Sequence, residues 1–240
     1  MSTTTLLWRN TASFGRESRG LRSLSPLCLE LYAGWVGRSK KSLGASERNE
    51  QERSVWRDEV KDIDPARFVF VDECETNITL TRLYARAPRG ERAFGKVPRN
   101  WDKNVTLIAA MSAEGMGQAM SVEGATDGAA FEAYVKHFLL PTLKERQVLI
   151  MDNLQVHKST KVRKLIESVG ASVLFLAPYS PDFSPIEEAF SKIKAILGSI
   201  EARTQETLVV AIGQALDAVS RRDVLGWFSH CGYRFTDQLA

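Results

Sequence analysis

The sequence contains little cysteine, no long apolar run and no strong excess of either charge. Its 3 cysteines are an odd number, and their spacing fits neither a disulfide framework nor a zinc site, so we expect reduced thiols. The longest apolar stretches, such as LIAAM and VLFLA, fall far short of the roughly 18 residues that a membrane-spanning helix needs. With no recognisable leader peptide, these absences predict a cytoplasmic protein that does not bind membranes.

The positive charge is concentrated in one stretch, although the formal net charge of +3 is too small to indicate a partner. Between residues 82 and 103 basic side chains alternate with Tyr84, Phe94 and Trp101. This mixture suits a nucleic-acid backbone and its bases, but a solvated basic loop has the same composition, and both interpretations stay open. The cations of this stretch are Arg82, Arg86, Arg89, Arg92, Lys96, Arg99 and Lys103.

From residue 67 onward, strand-like apolar runs alternate with helical segments. The runs FVFVDE, NVTLIAAM and GQAMSVE come first, the last two as a hairpin around Glu114, and QVLIMDN and SVLFLAP follow between helices. This order predicts an α/β fold, with a mixed central sheet flanked by helices on both faces. The helices are predicted over residues 127–145, 159–169, 184–197 and 204–219, with a short turn at DVLGWF.

Changes in composition divide the chain into three predicted parts. Residues 1–62 form an N-terminal extension, basic and serine-rich at first, that we expect to be poorly ordered or helical. It ends in a charged linker helix over residues 45–61. Residues 63–200 form the α/β domain, and residues 201–240 form a C-terminal helical region.

Two of the predicted strands end in an aspartate, Asp72 and Asp152. A carboxylate at the end of a buried strand is costly to desolvate unless it is paired or binds a cation. Ligands of open α/β sheets bind beyond the carboxyl ends of the strands. Each aspartate alone could equally start a turn, but the two together indicate a shared site.

A third acid comes from the stretch SPDFSPIEEAF, which begins a helix. Ser184 and Glu187 have the spacing of a capping box, so Glu187 has a structural interpretation as well as a functional one. On a helical wheel Glu187 borders the apolar stripe and can face a site, whereas Glu188 faces solvent and is placed to pair with Lys192. The residues of the apolar stripe are Ile186, Phe190, Ile193 and Leu197. Three carboxylates from two strand ends and a helix start suit Mg²⁺, and two such ions can promote phosphodiester transfer.

Several blocks of sequence resemble one family in order along the chain: FVDEC, LYARAPRGERA, MDNLQVHKS and APYSPDFSPIEEAFSKIK. They resemble the catalytic domain of bacterial insertion-sequence transposases of the mariner superfamily, which also show the 34 residues that separate Asp152 from Glu187 (187 − 152 − 1). The resemblance implies a ribonuclease H-like fold and cut-and-paste DNA transposition. It implies that Asp72, Asp152 and Glu187 are a metal-binding catalytic triad for two Mg²⁺ ions, with Mn²⁺ as a substitute.

The same resemblance implies partners. These are the DNA of the element ends and of the target, a second copy in a homodimer, and a helix-turn-helix region. The first 38 residues do not match such a region, so we expect a chain that starts inside a longer reading frame. It is then either the downstream half of a two-frame element, which works with an upstream product, or a truncated copy. A catalytically idle DNA-binding remnant and a stand-alone ribonuclease H-like nuclease are the alternative functions. A phosphotransfer domain is disfavoured because neither strand-end aspartate is followed by a second aspartate two residues on.

Four further residues lie close to the predicted site. His157 and Lys158 are candidate DNA contacts, although His157 could instead have a structural role at the entrance of a helix. Asn153 could orient the neighbouring aspartate or complete the turn. Glu73 is expected on the opposite face of its strand from Asp72, because strand side chains alternate.

Overall fold

The structure is a computed structural model that describes residues 45–99, 104–154 and 157–235. Most of the predicted N-terminal extension, together with Lys103, lies outside these ranges. The five strands are β1 (Phe68–Thr76), β2 (Val105–Ser112), β3 (Gly115–Glu123), β4 (Val148–Met151) and β5 (Ser172–Phe175). The α-helices are α1 (Glu50–Val60), α2 (Gly128–Tyr134), α3 (Thr160–Glu167), α4 (Pro185–Ile200), α5 (Gln205–Asp217) and α6 (Arg221–His230). No helix of the described ranges is both long and apolar enough to cross a membrane.

The strands form one mixed sheet in the order β3-β2-β1-β4-β5. β1, β2 and β3 are antiparallel neighbours, and the predicted hairpin joins β2 to β3. β4 lies parallel to β1, and β5 lies parallel to β4. The mixed central sheet predicted from the order of apolar runs is therefore confirmed.

Alternation along β1 divides the apolar side chains between the two faces of the sheet. Phe68, Phe70 and Cys74 belong to one buried cluster, which also contains side chains of α1, α4, α5 and α6. Val69 and Val71 belong to the other cluster, which contains side chains of α2 and α3. Helices therefore cover both faces, as expected.

Two helical segments differ from the prediction. The helix that begins at α2 continues through a π-helical turn, Val135–Leu139, and ends in a 3-10 turn at Leu140–Thr142. DVLGWF was predicted as a short turn, but it lies inside helix α6. The reason is a capping box in which Ser220 and Asp223 satisfy each other's backbone N–H groups at the helix start.

Both predicted domain boundaries fall inside one continuous core. Trp56 and Val60 of α1, which precede residue 63, are buried in the same cluster as Phe70 of the sheet. Leu208 of α5 and Phe228 of α6, which follow residue 200, belong to that cluster too. The boundaries stay predictions, and the side chains on either side of each are packed together.

Helix α1 is attached to the segment before α4 by an ion pair between a buried arginine and a half-exposed aspartate. The guanidinium of Arg53 donates to both carboxylate oxygens of Asp182, at 3.0 and 2.7 Å. It also lies 3.8 Å from the ring centroid of Phe183, on which Trp56 stacks at 5.1 Å. The Tyr233 hydroxyl donates to the backbone carbonyl of Phe183 at 2.6 Å. The Pro181–Phe183 turn is therefore fixed from two sides, and we call these contacts the turn clamp.

We expect Asp182→Ala to lower the free energy of unfolding by about 1–3 kcal/mol, because it leaves the buried guanidinium of Arg53 without its charged acceptor. Urea denaturation of the purified chain measures the change. Asp58→Ala is the matched control, since it removes an exposed partner of Lys61 and should cost less than about 1 kcal/mol. Equal losses for the two variants would show that the turn clamp does not stabilise the fold.

Candidate active site

The pairing of β1 with β4 brings the two predicted strand-end aspartates together. Asp152 directly follows β4, as expected, but Asp72 lies in the middle of β1, because pairing with β2 continues that strand to Thr76. The parallel register pairs Phe70 with Ile150, and continuing it by two residues places Asp72 beside Asp152. Adjacent strands are about 4.8 Å apart, so the two carboxylates start from neighbouring backbone positions. The sequence-based expectation of a shared site at this edge of the sheet agrees with this arrangement.

Helix α4 supplies the third carboxylate, but it does not begin as predicted. Ser184 occupies the N-cap position and Pro185 the first helical position, yet the Ser184 side chain makes no capping hydrogen bond. The expected capping box is therefore wrong. Glu187 instead lines the same cleft as Asp72 and Asp152, so its carboxylate extends away from the cap. The predicted stripe of Ile186, Phe190, Ile193 and Leu197 is buried, as expected.

The predicted pair of Glu188 with Lys192 is also wrong. Lys192 donates to Asp223 at 2.6 Å, and Glu188 pairs with His230. Both partners lie on α6, the helix that the sequence did not predict. Contacts between helices have thus replaced the expected pair within α4.

The three carboxylates share one cleft with a volume of about 600 Å³. The middle of β1, the loop after β4 and the segment between β5 and α4 form its walls. Its lining residues are Asp72, Glu73, Asp152, Asn153, Leu154, Leu176, Ala177, Pro178, Tyr179, Ser180, Pro181, Ser184 and Glu187.

The electrostatics of the three carboxylates differ. Burial, with the negative charges of Glu187 and Asp152 nearby, raises the pKa of Asp72 from 3.8 to about 7, against the opposing hydrogen bond from the Glu73 backbone. Partial desolvation and the charge of Asp152 also raise the pKa of Glu187, although Lys194 opposes this. At Asp152 burial is outweighed by the hydrogen bonds from His157 and the Leu154 N–H, so the pKa of this carboxyl is lowered.

His157 lies beneath the cleft rather than on the surface. Its ring is 1% exposed, with Nδ1 2.6 Å from Asp152 Oδ1 and Nε2 3.0 Å from Glu73 Oε1. The expectation that His157 contacts DNA conflicts with this burial, and the structural role fits instead. Lys158 is exposed. Asn153 donates to the Leu176 carbonyl at 2.8 Å, so it links the end of β4 to the end of β5.

Sequence reasoning missed two side chains of this site. Lys194 follows Glu187 by seven residues, which is two turns along the same side of α4, and its charge lowers the pKa of Glu187. That spacing was readable from the sequence. Glu73 was correctly expected on the opposite face from Asp72, but its bond to His157 joins residues 84 positions apart and has no local signal.

The chemistry of the cleft fits a hard divalent cation. Asp72, Asp152 and Glu187 offer oxygen donors and repel one another, and a cation would offset both this repulsion and the cost of burying Asp72. Within the described ranges, no three acidic, histidine or cysteine side chains already converge as a complete metal-ligand set. The carboxylates would therefore have to approach one another as they bind the ion.

The basic stretch between β1 and β2 is exposed over its described part. Arg82, Arg86, Arg89, Arg92, Lys96 and Arg99 all project into solvent. Tyr84 and Phe94, between these cations, are 87% and 93% exposed. The part of the loop after residue 99 that contains Lys103 lies outside the described ranges. Accessible cations beside accessible aromatic rings satisfy the geometric requirement for contact with a nucleic acid.

The base of this loop is attached to the end of helix α4. Arg203 donates to the backbone carbonyls of Ile78 and Leu80, both at 3.0 Å. Thr81 hydrogen-bonds Glu201. At Gly198 a Cβ atom would meet the backbone of Thr81 at 3.3 Å, so glycine allows the close approach of the helix to the loop. We call this group of contacts the loop anchor.

The fold and the cleft define a class of protein. A mixed five-stranded sheet with helices on both faces, and acids in the middle of β1, directly after β4 and at the start of α4, is a ribonuclease H-like arrangement. Residues 67–209 match the family model described as DDE superfamily endonuclease. The chain belongs to this family.

Solved structures of Mos1 transposase share the fold. A pre-cleavage Mos1 transpososome matches 84% of this chain and 66% of that chain, with a TM-score of 0.65 and 16% identity. The catalytic domain of Mos1 mariner transposase matches 79% of this chain and 94% of that chain, with a TM-score of 0.56 and 15% identity. The chain thus spans 66% of the length of the Mos1 chain in the transpososome. No curated protein sequence matches the chain.

The raised pKa of Asp72 predicts a stability effect that depends on pH. Asp72 ionises near pH 3.8 in the unfolded chain and near pH 7 in the folded one, so between these values the folded state binds the extra proton and stability falls as pH rises. In the absence of metal, Asp72→Asn should therefore stabilise the protein by roughly 2 kcal/mol at pH 8. This is less than the approximately 4 kcal/mol of the full shift, because Asp72 keeps some solvent contact.

Thermal unfolding in EDTA at pH 4, 6 and 8 measures this effect. The advantage of Asp72→Asn should be absent at pH 4 and complete at pH 8. Asp182→Asn should show the opposite sign, because Arg53 lowers the pKa of Asp182; its loss should be present at pH 8 and shrink as the pH falls below about 4. A difference between Asp72→Asn and the parent that does not change with pH would contradict the assignment.

Proposed function

We propose that this chain is the catalytic part of a DNA transposase that cuts phosphodiester bonds at element ends and joins the freed 3′-hydroxyl to target DNA. The observation that carries the proposal is the single cleft that contains Asp72, Asp152 and Glu187. The family supports nuclease chemistry, and the structures with the same fold include a Mos1 strand transfer complex and a Mos1 paired-end complex with a transposon end.

Asp72, Asp152 and Glu187 would hold two Mg²⁺ ions, or Mn²⁺ as a substitute. Mos1 complexes with Mg and with Mn have the same fold. The ions would activate the attacking oxygen and stabilise the leaving one. The chain itself supplies a fixed β1–β4 edge that carries two of the carboxylates, and helix α4, which the turn clamp orients, carries the third.

The exposed cations between Arg82 and Arg99 and the exposed Lys158 would bind the DNA backbone. Tyr84 and Phe94 would stack on bases where strands are separated. Lys103 belongs to the same proposed surface. Bringing two element ends together requires two active sites, so we propose a homodimer in the cytoplasm, with terminal-repeat recognition by a helix-turn-helix region encoded upstream.

We expect Asp72→Asn, Asp152→Asn and Glu187→Gln each to lower DNA nicking by about 100-fold or more, because each removes a ligand worth several kcal/mol of transition-state stabilisation. Cleavage of a supercoiled plasmid in Mg²⁺ and in Mn²⁺ provides the measurement. Glu188→Gln is the matched control, since its carboxylate pairs with His230 outside the cleft. An inactive Glu188→Gln beside an active Glu187→Gln would refute the assigned triad.

We expect DNA binding to weaken steeply with salt through the exposed loop. Arg89→Ala with Arg92→Ala should lower the slope of log K against log salt by at most about 2, because up to two phosphate contacts are lost. Fluorescence anisotropy with a labelled duplex from about 50 to 200 mM salt measures the slope. The control is Lys61→Ala with Lys144→Ala. These lysines come before β1 and before β4, at the strand ends opposite the cleft, so their loss should leave the salt slope unchanged. Equal slopes for both double variants would remove the loop from the DNA-binding surface.

A further inference from the structure

One buried group beneath the cleft has no assigned role in cutting DNA. His157 bridges two carboxylates, Asp152 above it and Glu73 on the other face of β1. Its ring also packs against Phe131, with 4.5 Å between the centroids. The imidazole is therefore held by two polar contacts and one apolar contact.

The two carboxylate partners determine that both ring nitrogens of His157 act as hydrogen-bond donors. Ionised carboxylates only accept hydrogen bonds, so both ring nitrogens donate, one to Asp152 and one to Glu73. Each ring nitrogen therefore has a carboxylate partner of its own, and the ring cannot turn without losing both hydrogen bonds.

The bond to His157 leaves the two oxygens of Asp152 in different situations. Oδ1 accepts from His157 Nδ1 at 2.6 Å and from the Leu154 N–H at 3.0 Å. No hydrogen bond from another described residue is found at Oδ2, which is thus the oxygen available for a cation. With Oδ1 fixed from two directions, the carboxylate plane cannot rotate freely about the end of β4.

We infer that Glu73 and His157 form a brace that positions Asp152, so that its Oδ2 faces the cleft for metal binding. The inference rests on the proposed function, because it assigns Asp152 as a metal ligand. His157 is a positioning residue that contacts neither DNA nor metal. Carboxylates that bind metals are commonly held by hydrogen bonds from outer-shell side chains, and the loss of such a partner typically weakens metal affinity 10- to 100-fold.

The decisive test separates position from charge. His157→Asn keeps an N–H donor near the place of Nδ1 and loses the charge, whereas His157→Ala loses both. Mn²⁺ binding to the full chain without DNA can be followed by electron paramagnetic resonance of the free ion. We expect His157→Ala to weaken Mn²⁺ binding about 10- to 100-fold, and His157→Asn to stay within about 3-fold of the parent.

Any other pattern of Mn²⁺ affinities for His157→Ala and His157→Asn contradicts the brace. A histidine that acted only through its charge would repel the ion, so both variants would bind Mn²⁺ equally well or more tightly. Equal effects of the two substitutions, in either direction, therefore overturn the brace. His137→Ala, which removes an exposed imidazole, should change nothing. If the parent binds no Mn²⁺, or binds it unaffected by Asp72→Asn and Asp152→Asn, the proposed function fails and the brace fails with it.

A second pair of variants covers the case in which His157→Ala does not fold. Glu73→Gln keeps an acceptor for Nε2 and Glu73→Ala removes it, while the imidazole stays in both. We expect Glu73→Ala to weaken Mn²⁺ binding several-fold and Glu73→Gln to resemble the parent. Unfolding temperatures in EDTA verify that the compared proteins are folded. Equal Mn²⁺ affinities of these two folded variants overturn the brace.

Discussion

The mutual repulsion of Asp72, Asp152 and Glu187 is the interaction on which the cleft depends. The parallel pairing of β1 with β4 and the packing of α4 hold three negative side chains around one cavity, and this costs stability unless a cation or a proton compensates. Burial, followed by the charges of Glu187 and Asp152, raises the pKa of Asp72, so both desolvation and repulsion contribute to that cost. The apolar packing of both sheet faces and the turn clamp supply the stability that keeps the carboxylates together.

Local periodicity predicted the elements that carry these acids. Alternation in β1 placed Asp72 and Glu73 on opposite faces, and helical spacing placed Glu187 beside the buried stripe of α4; both follow from neighbours in sequence. The partners of Glu188 and Lys192 were missed because they lie on α6, 42 and 31 residues away. The capping box failed for a related reason, since the cleft, a tertiary feature, determines where the Glu187 side chain lies.

The turn clamp extends the site beyond the region that the family model matches. Arg53 of α1 and Tyr233 after α6 lie outside residues 67–209, yet both bind the Pro181–Phe183 turn. Arg53 and Asp182 are 129 residues apart, so the contact becomes visible only in the folded chain. The turn that leads into Glu187 is thus supported by residues before and after the matched region, and the linker helix contributes to the support of the cleft.

Helix α4 also determines the distance between the cleft and the base of the basic loop. Glu187 lies near its first turn, and the loop anchor holds the basic loop at Gly198, near its last. The eleven residue steps from Glu187 to Gly198 correspond to about 16 Å of helix axis. The helix therefore sets a fixed interval between the carboxylate in the cleft and the anchored base of the basic loop. Inserting or deleting one turn of this helix would change that interval by about 5.4 Å while leaving every carboxylate in the chain.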